Sequence, residues 1–359
     1  MAFSREKPNN SLPDLPPQQA LETLAILRKC IAARSALAEL KGVCETIPNP
    51  LIWVRAIGLQ EARVSSEIEN IVTTTDDLYR ALADTIESAN AVTKEVLRYQ
   101  EALIAGVRAI ESKPLLSTAL FCDIASTIKM HDMNVRKSPG TKIVDGNGRT
   151  IYTPPVGEGI IRKKLANLEQ FIHESGGYDP LIKLAIVHYQ FEAIHPFTDG
   201  NGRTGRIINI LFLLQQDLLK LPVLYLSHYL IENKNEYYLR LREVTENSQW
   251  EEWIMFILDG IEKTANDSRL RISNIRRSMD ETLELLRSKI PKLANKDFVE
   301  LLYTNPYCKI KFVEQHMRVT RQTASSNLKS LEELGILESV KLGRDVYFIN
   351  SGLLRILSS

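Results

Sequence analysis

The residues best equipped for chemistry lie in one stretch, His195-Pro-Phe-Thr-Asp-Gly-Asn-Gly-Arg-Thr-Gly-Arg206. It holds a histidine, one carboxylate (Asp199), three glycines, Asn201 and two arginines. Histidine is the natural general base near neutral pH. Asp199 offers hard oxygen to Mg²⁺, which takes few protein ligands, or it caps the helix that follows. Gly200 and Gly202 let backbone N–H groups approach an anion closely. Asn201 can donate to a phosphoryl oxygen where charge develops. Arg203 and Arg206, three apart, share one face of a helix and can each fork onto phosphate. The simplest ligand is a polyphosphate. Phe197 reads as a core anchor for the loop.

The flanking segments must position these groups. Apolar runs precede the stretch (Leu181 to Ile194) and follow it (Ile207 to Leu214). They predict helix, tight glycine loop, helix, with open N–H groups at the start of the second helix as an anion site. Gly200 to Gly205 also matches the GxGxxG dinucleotide fingerprint. That motif needs a preceding strand and a βαβ unit. Here Leu181, Leu184, His188, Phe191 and Ile194 recur at helical spacing, so the match is set aside. Asp145-Gly-Asn-Gly-Arg149 repeats Asp199-Gly-Asn-Gly-Arg203 letter for letter. It sits between the β-favouring pieces 142–144 and 150–153 and reads as the turn of an isolated hairpin.

The full stretch resembles the signature of the Fic family, His-Pro-Phe-x-Asp/Glu-Gly-Asn-Gly-Arg-x-x-Arg, with every fixed position present. The resemblance implies an all-helical core with a β-hairpin flap. It also implies transfer of AMP from ATP to a Ser, Thr or Tyr hydroxyl of a protein, the chain itself included, with release of pyrophosphate. His195 would be the catalytic base and Asp199 the Mg²⁺ ligand. ATP would be bound by Gly200, Asn201, Gly202, Arg203, Thr204, Gly205 and Arg206, with Tyr237 and Tyr238 near the adenine. Thr245 stands where related sequences often carry an asparagine. The flap residues Ile151, Tyr152 and Thr153 would dock the target by strand addition. Upstream, Ser65-Ser-Glu-Ile-Glu-Asn70 resembles the family's inhibitory motif at Ser65, Glu69 and Asn70. Glu69 would pair with Arg206 and leave ATP misaligned for in-line attack. Glu67, two residues away, points to another side of the helix.

The rest of the chain reads as mainly α. Residues 1 to about 17 are polar and proline-rich, a tail or strap. Gln18 to Leu40 carries Leu21, Leu24, Leu27 and Ile31 at helical spacing, an amphipathic helix. Leu51 to Glu61 and Ser65 to Val72 read as two short helices, followed by Asp76 to Ala83, Val92 to Ile110 and Leu115 to Met130. Further helices fit Gly157 to Glu174, Pro180 to Ile194, Gly202 to Gln216, Ser227 to Glu246 and Trp250 to Lys289. From Asn295, helices at Phe298 to Tyr303, Ile310 to His316 and Thr320 to Leu334 precede two strands, Ile336 to Val340 and Asp345 to Ile349. Three helices and a two-stranded wing make a winged helix-turn-helix. The expected layout is 1–90 with the inhibitory motif, 91–260 as the Fic core, 261–294 as a connector helix and 295–359 as the winged helix.

With 45 basic and 44 acidic residues the chain is near neutral, unlike a protein that coats nucleic acid or membrane surfaces. No apolar run has the length of a membrane span, and the N-terminus lacks the apolar core of a signal peptide. The four cysteines sit among apolar neighbours, as reduced thiols do in a cytoplasm. A homodimer is compatible with this. Arg321, Gln322, Ser325, Asn327 and Lys329, with Lys341 and Arg344 on the wing, could meet DNA, and Glu332, Glu333 and Glu338 dilute their charge. The alternatives to AMP transfer are other phosphoryl or nucleotidyl chemistry on the same fold, or a DNA-binding regulator carrying a Fic domain.

Overall fold

The computed structural model describes residues 3–45, 49–84, 89–144, 146–174, 176–342 and 345–358. The site is carried by α7 (Pro180–Ile194) and α8 (Asn201–Gln215), which pack against each other. Helix α7 is buried on nearly every side, as expected of a helix apolar all round. Asp179 caps its start by accepting from Leu181 N–H, with Pro180 in the first turn. The layer around the pair includes α4 (Ala91–Ser112), α5 (Thr118–Lys129) and α6 (Glu158–His173). Helix α4 approaches α8 closely because Gly106 has no side chain. A Cβ there would lie 2.8 Å from Leu211 Cδ1.

The hairpin forms where expected, as β1 (Ile143–Val144) paired antiparallel with β2 (Thr150–Tyr152). Asp145, in its turn, lies outside the described residues, as does Pro48. The N-terminal strap is bound down rather than loose. Asn167 clamps the backbone N–H and C=O of Leu15 at 2.7 and 3.0 Å. Asp14 pairs with Lys164, and Leu12 and Leu15 are buried.

Three helix readings need correction. Residues 50–68 form one helix, α2 (Pro50–Ile68), since Ala62-Arg-Val64 contains no breaker. Residues 226–247 form two, α9 (Leu226–Glu232) and α10 (Lys234–Asn247). Between them Asn233 Nδ2 donates to Tyr229 O at 2.9 Å, engaging a carbonyl of the helix end. Helix α1 (Leu24–Glu45) buries Ile26, Cys30, Ala33, Leu37 and Leu40, while Leu24, Leu27 and Ile31 are exposed. The buried face is rich in small residues because α1 lies along α11 (Trp250–Lys289), the 40-residue spine of the chain. This spine passes residue 260 unbroken, so core and connector are one helix.

The short helix α3 (Thr75–Ala83) follows α2. The C-terminal unit runs α12 (Lys296–Thr304), β3 (Tyr307–Cys308), α13 (Ile310–Met317), α14 (Arg321–Glu333), β4 (Glu338–Leu342), β5 (Asp345–Ile349) and α15 (Ser351–Ser358). The wing strands pair antiparallel, and Thr320 caps α14 by accepting from Thr323 N–H. Strand β3, which joins the sheet in the order β3-β5-β4, and helix α15 were not expected. Arg344 lies outside the described residues, as does Gly343. Cys30, Cys44 and Cys308 are buried free thiols, and Cys122 is half-buried. Among the described residues no helix is long and apolar enough to cross a membrane.

The corrected face of α1 is testable by urea denaturation. Leu37→Ala should cost about 2–4 kcal/mol, and Ile31→Ser should stay within about 0.5 kcal/mol of wild type.

Candidate active site

Residues 195–206 form the joint between α7 and α8. His195 takes the left-handed conformation that ends α7, with φ 49°, and its N–H donates to Phe191 O. Gly200 takes φ 78° at the start of α8, a conformation that suits glycine. The side chain of Asn201 closes the loop: Oδ1 accepts from Phe197 N–H at 2.8 Å, and Nδ2 donates to Phe197 O at 2.9 Å. Its Oδ1 and one N–H of its Nδ2 are thus engaged within the loop, and the second N–H of Nδ2 is left over. The first intrahelical bond of α8 is Thr204 N–H to Gly200 O. The N–H groups of Asn201, Gly202 and Arg203 thus have no partner inside the helix and form an anion site.

That site faces Glu69. Arg206, almost fully buried, donates to Glu69 Oε1 at 2.9 Å, to Ser65 Oγ at 2.8 Å and to Ser65 O at 2.7 Å. Burial opposes the Arg206 charge, but the Glu69 carboxylate beside it holds it firmly cationic. A Cβ added at Gly202 would overlap Glu69 Oε1, so the carboxylate lies directly over the first turn of α8. A carboxylate is favourable there for the reason a phosphate is. Glu67 pairs with Arg63 at 3.1 Å, away from the loop. Asn70, with φ 61°, turns the chain out of α2.

The remaining residues fall into two groups. Asp199 is ionised and more than half exposed, and its Oδ1 accepts from Gly200 N–H. Burial, the largest single influence, pushes its pKa up, but the hydrogen bond and charge of Lys129, the Gly200 N–H and the Arg203 charge together bring it below the ordinary value. Lys129 Nζ lies 2.6 Å from Asp199 Oδ2 and 2.8 Å from Glu95 Oε1, which also holds Arg203 at 2.8 Å. Arg203 is therefore directed by Glu95 and Arg206 by Glu69. Thr204 and Gly205, expected among the ATP-binding residues, face inward instead. Thr204 is fully buried, and a Cβ on Gly205 would meet Glu192 and Phe191 of α7. They pack the helix pair.

His195 has its pKa pushed down to about 4, by burial first and then by the Arg136 cation. Its imidazole is thus neutral at neutral pH, the form a base requires. Arg136 donates to His195 O at 2.8 Å and to Pro155 O at 2.5 Å, tying the base to the end of the hairpin.

A cavity of about 700 Å³ opens beside Glu69, between the hairpin and α10. Its walls include Ile151, Tyr152, Glu192, Tyr238 and Thr245. Tyr237 belongs to the core: it stacks on His188 and packs at a tilt against Trp253, and its hydroxyl pairs with His188 Nε2 at 3.0 Å. Tyr238, its neighbour, lines the cavity. Thr245 is bonded to Tyr189 at 3.0 Å. On the hairpin, Tyr152 is fixed by its hydroxyl to Ala193 O at 2.8 Å. Thr153 is occupied by the strap, donating to Arg5 O and accepting from Asn9 N–H. Sequence reading missed Glu95, Lys129, Arg136 and Glu192, whose partners are mostly distant in the chain. Glu192 alone carried a local signal, sitting one turn before His195 on the same helix. Among the described residues no cluster of three or more His, Cys, Asp or Glu side chains could hold a metal.

Comparison with known proteins agrees with this geometry. Residues 27–108 match the Fic/DOC family N-terminal model, 116–213 the Fic/DOC family model, and 278–353 the C-terminal domain of SoFic-like protein adenylyltransferases. Protein adenylyltransferase fic-1 of Caenorhabditis briggsae is 33% identical over 89 residues, 24% of this chain and 16% of that protein. A probable protein adenylyltransferase of Aquifex aeolicus is 30% identical over 89 residues, 25% of each chain. The chain thus matches a quarter or less of the length of these relatives. A crystal structure of a Fic family protein from Desulfovibrio desulfuricans G20 shares the fold at TM-score 0.59 and 19% identity, over 93% of this chain and 98% of that one. A fragment of Fic-1 from C. elegans does so at TM-score 0.54 and 17% identity, over 71% and 74%. With the two Fic/DOC models matched in order over residues 27–108 and 116–213, together half of the chain, the chain belongs to the Fic/DOC family.

Proposed function

We propose that this protein is an ATP-dependent protein adenylyltransferase held off by Glu69. The observation that carries the reading is the seat of the Glu69 carboxylate, over the N-terminus of α8 and bonded to Arg206. A built anion site with an internal carboxylate in it is a site for an anionic substrate under competition. The relatives' printed names, protein adenylyltransferase, support the choice of ATP as nucleotide and a protein as acceptor.

In the reaction, His195 takes the proton of a target Ser, Thr or Tyr hydroxyl. The hydroxyl oxygen bonds to the α-phosphorus, the bond from that phosphorus to the bridging oxygen breaks, and pyrophosphate leaves. The backbone N–H groups of Gly202 and its neighbours steady the phosphates. Arg206, freed of Glu69, turns to the terminal phosphate and fixes the line of attack. Asp199 suits Mg²⁺ as a single exposed, ionised oxygen ligand once Lys129 yields. Bound there, the cation would offset the charge that builds on the leaving pyrophosphate. Ile151 and Tyr152 line the acceptor side and would receive an extended target segment.

Two outcomes test this reading. With α-labelled ATP and cell lysate, Glu69→Gly should raise label on protein on the order of ten-fold or more, and His195→Ala should remove about 10²–10⁴-fold of it. Label from γ-labelled ATP alone would contradict AMP transfer. In the Glu69→Gly protein the rate should stay level between pH 6 and 8, because the base loses its proton far below that range. A loss of rate on going from pH 8 to pH 6 would overturn His195 as the base.

A further inference from the structure

The reaction above leaves one buried acid at the site unused. Glu192 sits one turn before His195 on α7, and its Oε1 is buried with no hydrogen-bond partner among the described residues. That oxygen rests on the backbone of α8: a Cβ built on Gly205 would lie 2.5 Å from it. Glu192 also lines the cavity together with Glu69 and Tyr238. The groups whose charges reach it are Glu69 from α2 and Arg206 from α8, with the phenols Tyr237 and Tyr238 from α10 beside it. Tyr189 of its own helix lines the same cavity, and His195, just past the helix end, bonds to its backbone. Lys234 and Arg242 of α10 line the same cavity, and Lys234 is engaged with Ile68 O at 2.8 Å.

Two carboxyl groups therefore flank one buried arginine. Glu69 has the hydrogen bond, and Glu192 has none. We propose that Glu192 is a positioning residue that competes with Glu69 for Arg206 and so sets how tightly the site is held off. The inference rests on the inhibitory reading of Glu69. Its physics is like-charge repulsion across a shared cation at low dielectric. With Glu192 protonated, the Glu69–Arg206 pair is undisturbed. With Glu192 ionised, Glu69 is repelled and Arg206 is drawn toward α7, which loosens the pair. Burial and the Glu69 charge raise the Glu192 carboxyl to about 7 against the opposing pull of Arg206. The change of state thus falls in the neutral range, where His195 is already unprotonated. Release should grow as pH rises through 7.

The test is AMP transfer from α-labelled ATP, measured from pH 6 to 8.5, in wild type, Glu192→Gln, Glu69→Gly and the double variant. Glutamine is isosteric and fixed in the uncharged state. Wild type should gain on the order of five-fold across this range, as expected for one like charge at a buried pair. Glu192→Gln should stay flat at the low-pH level, and ATP affinity by calorimetry should follow the same pattern. In the Glu69→Gly background, Glu192→Gln should change nothing, because no pair remains to be loosened. If Glu192→Gln rises with pH as wild type does while Glu69→Gly is still activating, Glu192 is no competitor and the proposal falls alone. If Glu192→Gln lowers Glu69→Gly to the same extent as wild type, Glu192 serves the nucleotide and not the competition, and the proposal falls. If Glu69→Gly fails to activate, the inhibitory reading falls and takes this inference with it.

Discussion

One arginine organises the site. Arg206 is buried, must stay charged, and is satisfied by two atoms of Ser65 and one oxygen of Glu69. An uncompensated guanidinium at such a position would be costly, so something anionic must always be near it. In this structure that anion is the chain's own carboxylate. Any phosphate that binds over the first turn of α8 must displace Glu69 or accept a poorer geometry. The 195–206 loop, the anion site at the start of α8 and the end of α2 are therefore one electrostatic unit.

Helix α2 has to be held firmly for this to work. Glu61, two turns before Glu69, is fully buried and is held by Tyr99 from α4 and by the backbone and hydroxyl of Ser227 from α9. Burial pushes the Glu61 carboxyl up against those hydrogen bonds. At its other end α2 is closed by Lys234 donating to Ile68 O and by Ile71 N–H donating to Ser66 O. The chain then enters α3, which is tied to the C-terminal sheet. Tyr307 donates to Asp76, Tyr347 to Asp84, and Lys309 pairs with Asp84. The segment that leaves Glu69 is thus attached to the C-terminal sheet rather than free.

How much of this was legible in the sequence depended on range. The loop could be read because its chemistry is local: the residue types at 195–206 and their spacing already imply helix, anion site and base. The same holds for the hairpin, the cap at Thr320 and the spine from Trp250 to Lys289. The Ser65 to Asn70 match depended on a learned pattern, and its physical meaning needed the 2.9 Å contact to Arg206, across 137 positions of chain. Helix α1 misled because large side chains mark an apolar stripe, whereas close packing on α11 selects small ones such as Ala33 and Ala36. The loop bonds of Asn201 could not be read ahead, because an amide can serve a ligand, its own loop or both, and spacing alone does not distinguish them. Glu95 and Lys129 were out of reach, since their roles exist only once α4, α5 and α8 meet.

The claim that Glu69 acts through Arg206 can be measured directly with a double-mutant cycle on ATP affinity, using Glu69→Ala, Arg206→Ala and the double variant. Glu69→Ala should tighten ATP binding when Arg206 is present and have no effect when it is absent. Equal tightening in both backgrounds would show that Glu69 opposes the nucleotide without Arg206, and the coupling between them would be disproved.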